Sequence, residues 1–277
     1  MELAADGNEM NALALPERRA ARLSRAVQVL GWGAFKIGRN EGIKYPMAYE
    51  LPTEQDAVAL VQQIVRMGIR SIDTAPAYGL SEQRIGLALE GLTAQERSSV
   101  FLSTKVGERF EGGQSHFDFS GTAVESSVLR SLQLLRTTRL DLVWVHSDGS
   151  DERIVADGAA IGALEALRAG GVVGAIGFSA KHADGARAAL ADPRVDALML
   201  EFHPTKPELL PVIADAGRSG RAVFIKKPLA SGTLDPAVAI PWILRNAAVT
   251  SVVVGGLSIE RLRANAALAA DTAPASR

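Results

Sequence analysis

The segment Ala57-Val58-Ala59-Leu60-Val61-Gln62-Gln63-Ile64-Val65-Arg66-Met67-Gly68-Ile69-Arg70-Ser71-Ile72-Asp73 holds two periodicities in succession. Ala57, Leu60, Val61, Ile64 and Val65 recur at helical spacing, and Thr53 ahead of Glu54 supplies helix-start chemistry. From Gly68 the pattern becomes a short apolar run ending on Asp73, as expected for a parallel strand buried on both faces. A helix followed by a strand is the repeating unit of α/β folds.

Working outward, the same unit recurs along the chain. Apolar, β-branched runs at 27–31, 68–73, 100–105, 140–146, 174–179, 195–202, 222–226 and 250–254 give eight strand candidates. Helical spacing fills the gaps at 82–89, through Val124, Val128, Leu129, Leu132 and Leu135, and at 161–167, 183–190, 207–216, 236–245 and 259–268. Ser81 before Glu82 and Ser258 before Ile259 read as further helix starts. Eight alternating units favour an α/β fold of the (β/α)8 TIM barrel type over an open doubly wound sheet, although alternation alone does not close the ring; a single barrel domain is of the size that 277 residues can build. Gly31-Trp32-Gly33-Ala34-Phe35-Lys36 lacks the third glycine of a dinucleotide-binding turn, which argues against an open Rossmann sheet. Residues 1–26 are expected as an N-terminal extension, either a short hairpin or partly disordered. The barrel is expected over 27–270, with an exposed loop at 108–120 and a flexible tail at 271–277.

Composition narrows the function. Lys and Arg number 30 against 31 Asp and Glu, so no charge excess points to nucleic acid or an anionic membrane. The absence of cysteine removes disulfides, thiolate metal sites and a cysteine nucleophile, and no metal is expected. Residues 1–25 carry four acidic groups where a signal peptide needs a basic start, and no run approaches the roughly 18 apolar residues of a membrane span. The expectation is a cytoplasmic protein, monomeric or a weak homo-oligomer, acting on a small molecule.

In such a barrel, catalytic groups come from the C-terminal ends of different strands. Asp73, Lys105 and His146 close the second, third and fourth strand candidates, and Tyr78 follows the second. Singly, Asp73 could cap a turn, Tyr78 pack at the rim and Lys105 extend to solvent. Together, three apolar strands ending in ionisable residues set charges side by side in the barrel mouth, where Asp73 is a partner for Lys105.

Here the sequence resembles a known family. Gly68-Ile69-Arg70-Ser71-Ile72-Asp73-Thr74-Ala75-Pro76-Ala77-Tyr78-Gly79-Leu80-Ser81-Glu82 looks like the aldo-keto reductase signature. Ser103-Thr104-Lys105-Val106 resembles its lysine strand and Asp141-Leu142-Val143-Trp144-Val145-His146 its histidine strand. The similarity runs from about Val29 to Asn265. It implies reduction of an aldehyde or ketone, with Asp73, Tyr78, Lys105 and His146 catalytic and Phe35, Tyr78 and His146 against the substrate. In these roles Tyr78 gives a proton to the carbonyl oxygen, Lys105 tunes Tyr78, Asp73 holds Lys105, and His146 positions the substrate. A cation about 4 Å from a phenol, in an effective dielectric near 20, favours phenolate by about 4 kcal/mol, so Lys105 is expected to lower the pKa of Tyr78.

The resemblance also implies a nicotinamide cofactor, NADPH (NADP+). Ala34, Phe35 and Asp73 match positions beside the nicotinamide, and Ser179 matches the serine that holds its carboxamide. Ala180 and Met199 stand where asparagine and glutamine are usual. Lys226-Lys227-Pro228-Leu229-Ala230-Ser231-Gly232 resembles the loop that follows the pyrophosphate, so Lys226, Lys227, Pro228, Leu229 and Ser231 are cofactor candidates. Gly255 and Gly256 precede a helix N-terminus suited to an anion. Arg261 and Asn265 match contacts to the 2'-phosphate and adenine, whereas Gly255 and Ala264 replace a frequent lysine and glutamate.

Two rivals differ in class. A Schiff-base aldolase using Lys105 leaves Tyr78 and His146 unexplained. A non-catalytic, redox-responsive subunit that only binds the dinucleotide has no need of all four catalytic types. With only residues 266–277 after Asn265, the pocket walls are expected from Phe35, the loop 38–51, and Phe110, Phe117 and Phe119, with Trp32 and Trp144 in the core. Such a shallow apolar site predicts broad use of small or aromatic aldehydes.

Overall fold

The structure, a computed structural model, describes residues 13–43 and 48–272. Eight parallel strands close a barrel in chain order. They are β1 (Leu30–Gly33), β2 (Ser71–Asp73), β3 (Phe101–Val106), β4 (Leu142–His146), β5 (Ile176–Ser179), β6 (Ala197–Glu201), β7 (Ala222–Lys226) and β8 (Ser251–Gly255). Gly255 opposite Gly33 and Val252 opposite Leu30 close the ring. The expected single (β/α)8 barrel is therefore the fold.

The helix Glu54–Met67 shows why the alternation works. Thr53 accepts a hydrogen bond from the Asp56 amide at its start, a cap that contributes about 1 kcal/mol. Ala57, Val61, Ile64, Val65 and Met67 are buried along one stripe, and each large side chain contributes roughly 1.5–3 kcal/mol. They join an apolar layer between the helices and the outer face of the strands. A second, smaller cluster contains Phe101, Leu142, Trp144, Ala197, Met199, Ala222, Phe224 and Val253, strand residues that fill the barrel, together with Ala175 just ahead of β5. Ala20, Leu23 and Val27 belong to this inner cluster and come from an antiparallel hairpin that pairs Glu17–Arg18 with Val27–Gln28.

Several elements differ from expectation. The first barrel strand is Leu30–Gly33, later than 27–31, because Val27–Gln28 pairs with the hairpin instead. Ser81 does not cap its helix. It is the first helical residue, buried, and its hydroxyl donates to the Ala34 carbonyl (3.0 Å) and meets Thr74 Oγ1 at 2.9 Å. Residues 108–120 are no open loop: Glu108–Glu111 pairs antiparallel with Gln114–Phe117 around Gly112 and Gly113, both at positive φ. The last helix runs from Ile259 to Thr272, into the segment expected as tail. The rest of that tail, and the first twelve residues of the expected extension, lie outside the described residues. No helix among the described residues is long and apolar enough to cross a membrane.

Candidate active site

Five strand ends build the mouth. Asp73 ends β2, Lys105 lies one residue from the end of β3, and His146, Ser179 and Lys226 end β4, β5 and β7. Tyr78 sits on the single turn Pro76–Tyr78, which Pro76 starts and an Ala75 carbonyl bond closes (2.9 Å). Gly79 follows at φ 61, and a Cβ there would fall 2.4 Å from the Gly38 carbonyl oxygen, so this close approach requires glycine. The structure thus brings Asp73, Tyr78, Lys105 and His146 to one end of the barrel.

The centre of the site is a buried ion pair. Asp73 and Lys105 are 6% and 2% exposed, so both charges need full sets of partners. The Lys105 ammonium donates to Asp73 Oδ2 and to the Thr74 carbonyl (2.7 Å), and it stands 4.7 Å from the centre of the Tyr78 ring. The other Asp73 oxygen accepts from Ser103 Oγ (2.8 Å) and Trp144 Nε1 (3.1 Å). Burial opposes the charge of Lys105, but Asp73 and Tyr78 outweigh it and raise its pKa above the ordinary lysine value. The Tyr78 phenol behaves differently from expectation. Burial raises its pKa, Lys105 pulls the other way without prevailing, and Asp73 adds to the rise. Desolvation of the phenolate exceeds the pull of Lys105 rather than offsetting only part of it, and the carboxylate behind the lysine, which the sequence did not reveal as a neighbour of the phenol, adds to the rise.

Around this pair, Phe35 meets Tyr78 edge to face with centroids 5.0 Å apart. His146 Nδ1 lies 2.8 Å from Glu108 Oε2, an ion contact whose direction is not that of an aligned ring N–H hydrogen bond. Burial lowers the His146 pKa; Glu108 opposes this, while Lys105 and Lys226 add to it. The Glu108 carboxyl is held at about 2: burial would raise it, but His146, Ser115 and Arg39 prevail.

The cofactor candidates form the other half of the mouth. Ala34 and Phe35 lie in the turn Ala34–Ile37 after β1. The Lys226 ammonium donates to Ser179 Oγ (2.9 Å) and the Ala180 carbonyl (2.8 Å), and Lys227 stands 3.6 Å from Glu201. No carboxylate among the described residues forms an ion pair with Lys226. Burial, then Lys227 and Lys105, lowers its pKa to about 7. Pro228 and Leu229 lead into a turn in which Lys227, Ala230 and Ser231 all take positive φ, a backbone that non-glycine residues seldom adopt. Gly255 and Gly256 precede the helix Ile259–Thr272, whose Arg261 amide is capped by Ser258 Oγ (3.2 Å); Asn265 is 7% exposed. A cation without a carboxylate, an adjoining lysine and a capped helix start suit a polyanionic ligand such as a dinucleotide.

Sequence reading missed Ser103, Glu108 and Arg39, and placed Trp144 in the core or, if its ring reached the mouth, in a pocket wall, but not as a partner of Asp73. Ser103 and Trp144 were legible from period two, since they share strand faces with Lys105 and His146. Glu108 carried a weaker signal, the Gly112-Gly113 pair of a tight hairpin. Arg39 had none. Its guanidinium lies 3.3 Å from the centre of the Phe110 ring and donates to the Ala77 carbonyl, which ties the hairpin to the loop after β1.

Trp144 also explains a small residue. A Cβ on Gly177 would fall 2.1 Å from Trp144 Cε3, inside the barrel. Gly177→Ala is expected to cost about 1–3 kcal/mol by overpacking, and to lower turnover by turning the indole away from Asp73. Urea unfolding together with kcat tests this; a stable variant of unchanged kcat contradicts it.

A barrel whose mouth joins a buried lysine–aspartate pair to a tyrosine and a histidine is suited to carbonyl–alcohol redox chemistry. A sequence profile of the aldo/keto reductase family matches residues 29–238, and the chain belongs to that family. It is 29% identical to D-threo-aldose 1-dehydrogenase of a Pseudomonas species, over 94% of each chain. It is 27% identical to the NADH-specific methylglyoxal reductase of Escherichia coli, over 68% of this chain and 61% of that protein. An aldo-keto reductase structure from Pseudomonas aeruginosa superposes with a TM-score of 0.84 at 34% identity, covering 96% of this chain and 98% of the other. The protein is an oxidoreductase of this family.

Proposed function

We propose that the protein is an NADPH-dependent reductase of aldehydes or ketones in which Tyr78 is the proton donor. The observation that carries this is the Asp73–Lys105 pair beneath the Tyr78 ring, with His146 at the next strand end. A bound nicotinamide dinucleotide supplies the hydride, which no side chain can donate. Tyr78 stays protonated at neutral pH and hands its proton to the substrate oxygen as negative charge develops there. Lys105 then stabilises the phenolate, and Asp73, held by Ser103 and Trp144, keeps the ammonium charged and oriented. Phe35 supplies an apolar wall. A screen of nicotinamide oxidation and reduction with aldehydes, ketones and aldoses tests the reading; no turnover in either direction with any of them counts against it.

Lys226, Lys227 and Arg261 would hold the phosphates. With Lys226 near 7, an arriving polyanion draws a proton onto it, so binding is expected to take up protons between about pH 7 and 9 and to weaken as pH rises. Calorimetry in buffers of different ionisation enthalpy reads this directly, and Lys226→Met abolishes it. Uptake that persists in Lys226→Met assigns the proton elsewhere.

Arg261 sets the preference for NADPH. Arg261→Ala is expected to weaken NADPH by about 1.5–3 kcal/mol, the scale of a hydrogen bond to a charged group, and to leave NADH nearly unchanged. Equal affinities of the unaltered enzyme for the two cofactors in a fluorescence titration contradict this preference.

A further inference from the structure

The hairpin over the mouth carries a carboxylate that the roles above leave unused. Glu108 is fixed from two sides, with Oε1 accepting from Ser115 Oγ across the hairpin (2.6 Å) and Oε2 at 2.8 Å from His146 Nδ1. Arg39 anchors the hairpin through Phe110, and Phe119 packs against Gly107, where the chain leaves β3. An ionised carboxylate oxygen 2.8 Å away repels a nitrogen lone pair, so even without an aligned N–H the contact favours a proton on the imidazole nitrogen that faces it. When His146 is neutral, that proton is on Nδ1, and Nε2 is left with a lone pair.

We propose that Glu108 is a positioning residue which holds neutral His146 in its Nδ1–H tautomer, so that Nε2 accepts from a substrate hydroxyl and donates to a carbonyl only when the ring is charged. The proposal rests on the reading that His146 faces the substrate oxygen, and it adds direction to that site. Below the His146 pKa the imidazolium suits a carbonyl substrate. Above it, the neutral ring suits an alcohol, such as the hydroxyl on the reacting carbon of a cyclic aldose. The groups that set this balance are Glu108 on the hairpin, Lys105 on β3 and Lys226 on β7, with Arg39 acting on Glu108. Lys105 and Lys226 oppose protonation of His146 and Glu108 favours it.

Glu108→Gln tests the assignment, because a glutamine amide can donate to Nδ1 and so permits the Nε2–H tautomer. Nitrogen-15 NMR of histidine-labelled enzyme, with the His146 signals identified by their loss in His146→Asn, reads tautomer and titration without turnover. The expected result is Nδ1–H in the unaltered enzyme. In Glu108→Gln, Nε2–H is expected, with the His146 pKa lower by about 1 unit. The KM for the alcohol at alkaline pH should rise by about tenfold, the upper end of the scale of a neutral hydrogen bond, and Glu108→Asp should restore part of the loss. An Nε2–H tautomer in the unaltered enzyme, or the same tautomer and pKa in both proteins, overturns the proposal. Absence of hydride transfer from any substrate would instead overturn the oxidoreductase site on which it rests, a separate result.

Discussion

Tyr78→Phe is expected to slow single-turnover hydride transfer by about 10²–10⁴-fold, the usual range for a positioned general acid. Dinucleotide affinity should stay within about twofold, since the dissociation constant changes little when the lost group touches only the substrate. The ring itself is kept, and with it the edge contact to Phe35 and the face presented to Lys105, so the substitution removes one oxygen from an otherwise unchanged wall. Stopped-flow oxidation of the bound reduced cofactor separates the two effects. A near-normal rate in the phenylalanine variant removes Tyr78 from the role of donor.

The second large effect is expected from Lys105→Met, on stability as well as on rate. Removing the ammonium leaves the Asp73 carboxylate buried with, among the described residues, Ser103 and Trp144 as its side-chain donors, and a broken buried pair costs about 3–5 kcal/mol. The phenol loses the one neighbour that lowers its pKa appreciably, so its titration moves further up and any residual oxidative activity is confined to higher pH. Adding Asp73→Asn to Lys105→Met should recover much of the stability and none of the turnover, because the orphaned charge is gone but the catalytic cation is still missing. Denaturant unfolding of the four members of the cycle, with ultraviolet titration of tyrosine against a Tyr78→Phe blank, checks both halves. An unchanged phenol titration in Lys105→Met contradicts the electrostatic account.

The barrel was legible because its strands are buried on both faces and its helices on one stripe. Both patterns depend on residue type alone, as in the passage from Ala57 to Asp73. Strand ends shifted where pairing decided them: Val27 and Gln28 read as barrel strand but are claimed by the N-terminal hairpin. Ser81 shows the same limit. A serine before a glutamate is a reasonable cap from spacing, yet here its hydroxyl is used across the turn, on Thr74 and Ala34. Of the residues brought to the mouth, Asp73, Lys105 and His146 stood at or beside strand ends that the sequence marks, and Tyr78 followed the first of them. Their electrostatic setting was not marked, since the pKa of Tyr78 depends on burial and on how close Asp73 lies behind Lys105. The Glu108–His146 contact joins a hairpin to a strand end 38 residues away, and no local pattern encodes such a meeting.

The central claim is that this mouth transfers hydride to a carbonyl carbon with Tyr78 supplying the proton. Its most direct test follows deuterium from reduced dinucleotide, labelled on the transferring carbon, into product by mass spectrometry. The account predicts one deuterium on the former carbonyl carbon with the unaltered enzyme, and a yield lower by at least about 10²-fold in the same time with Tyr78→Phe. Unlabelled product, or equal labelling by the two proteins, would contradict it.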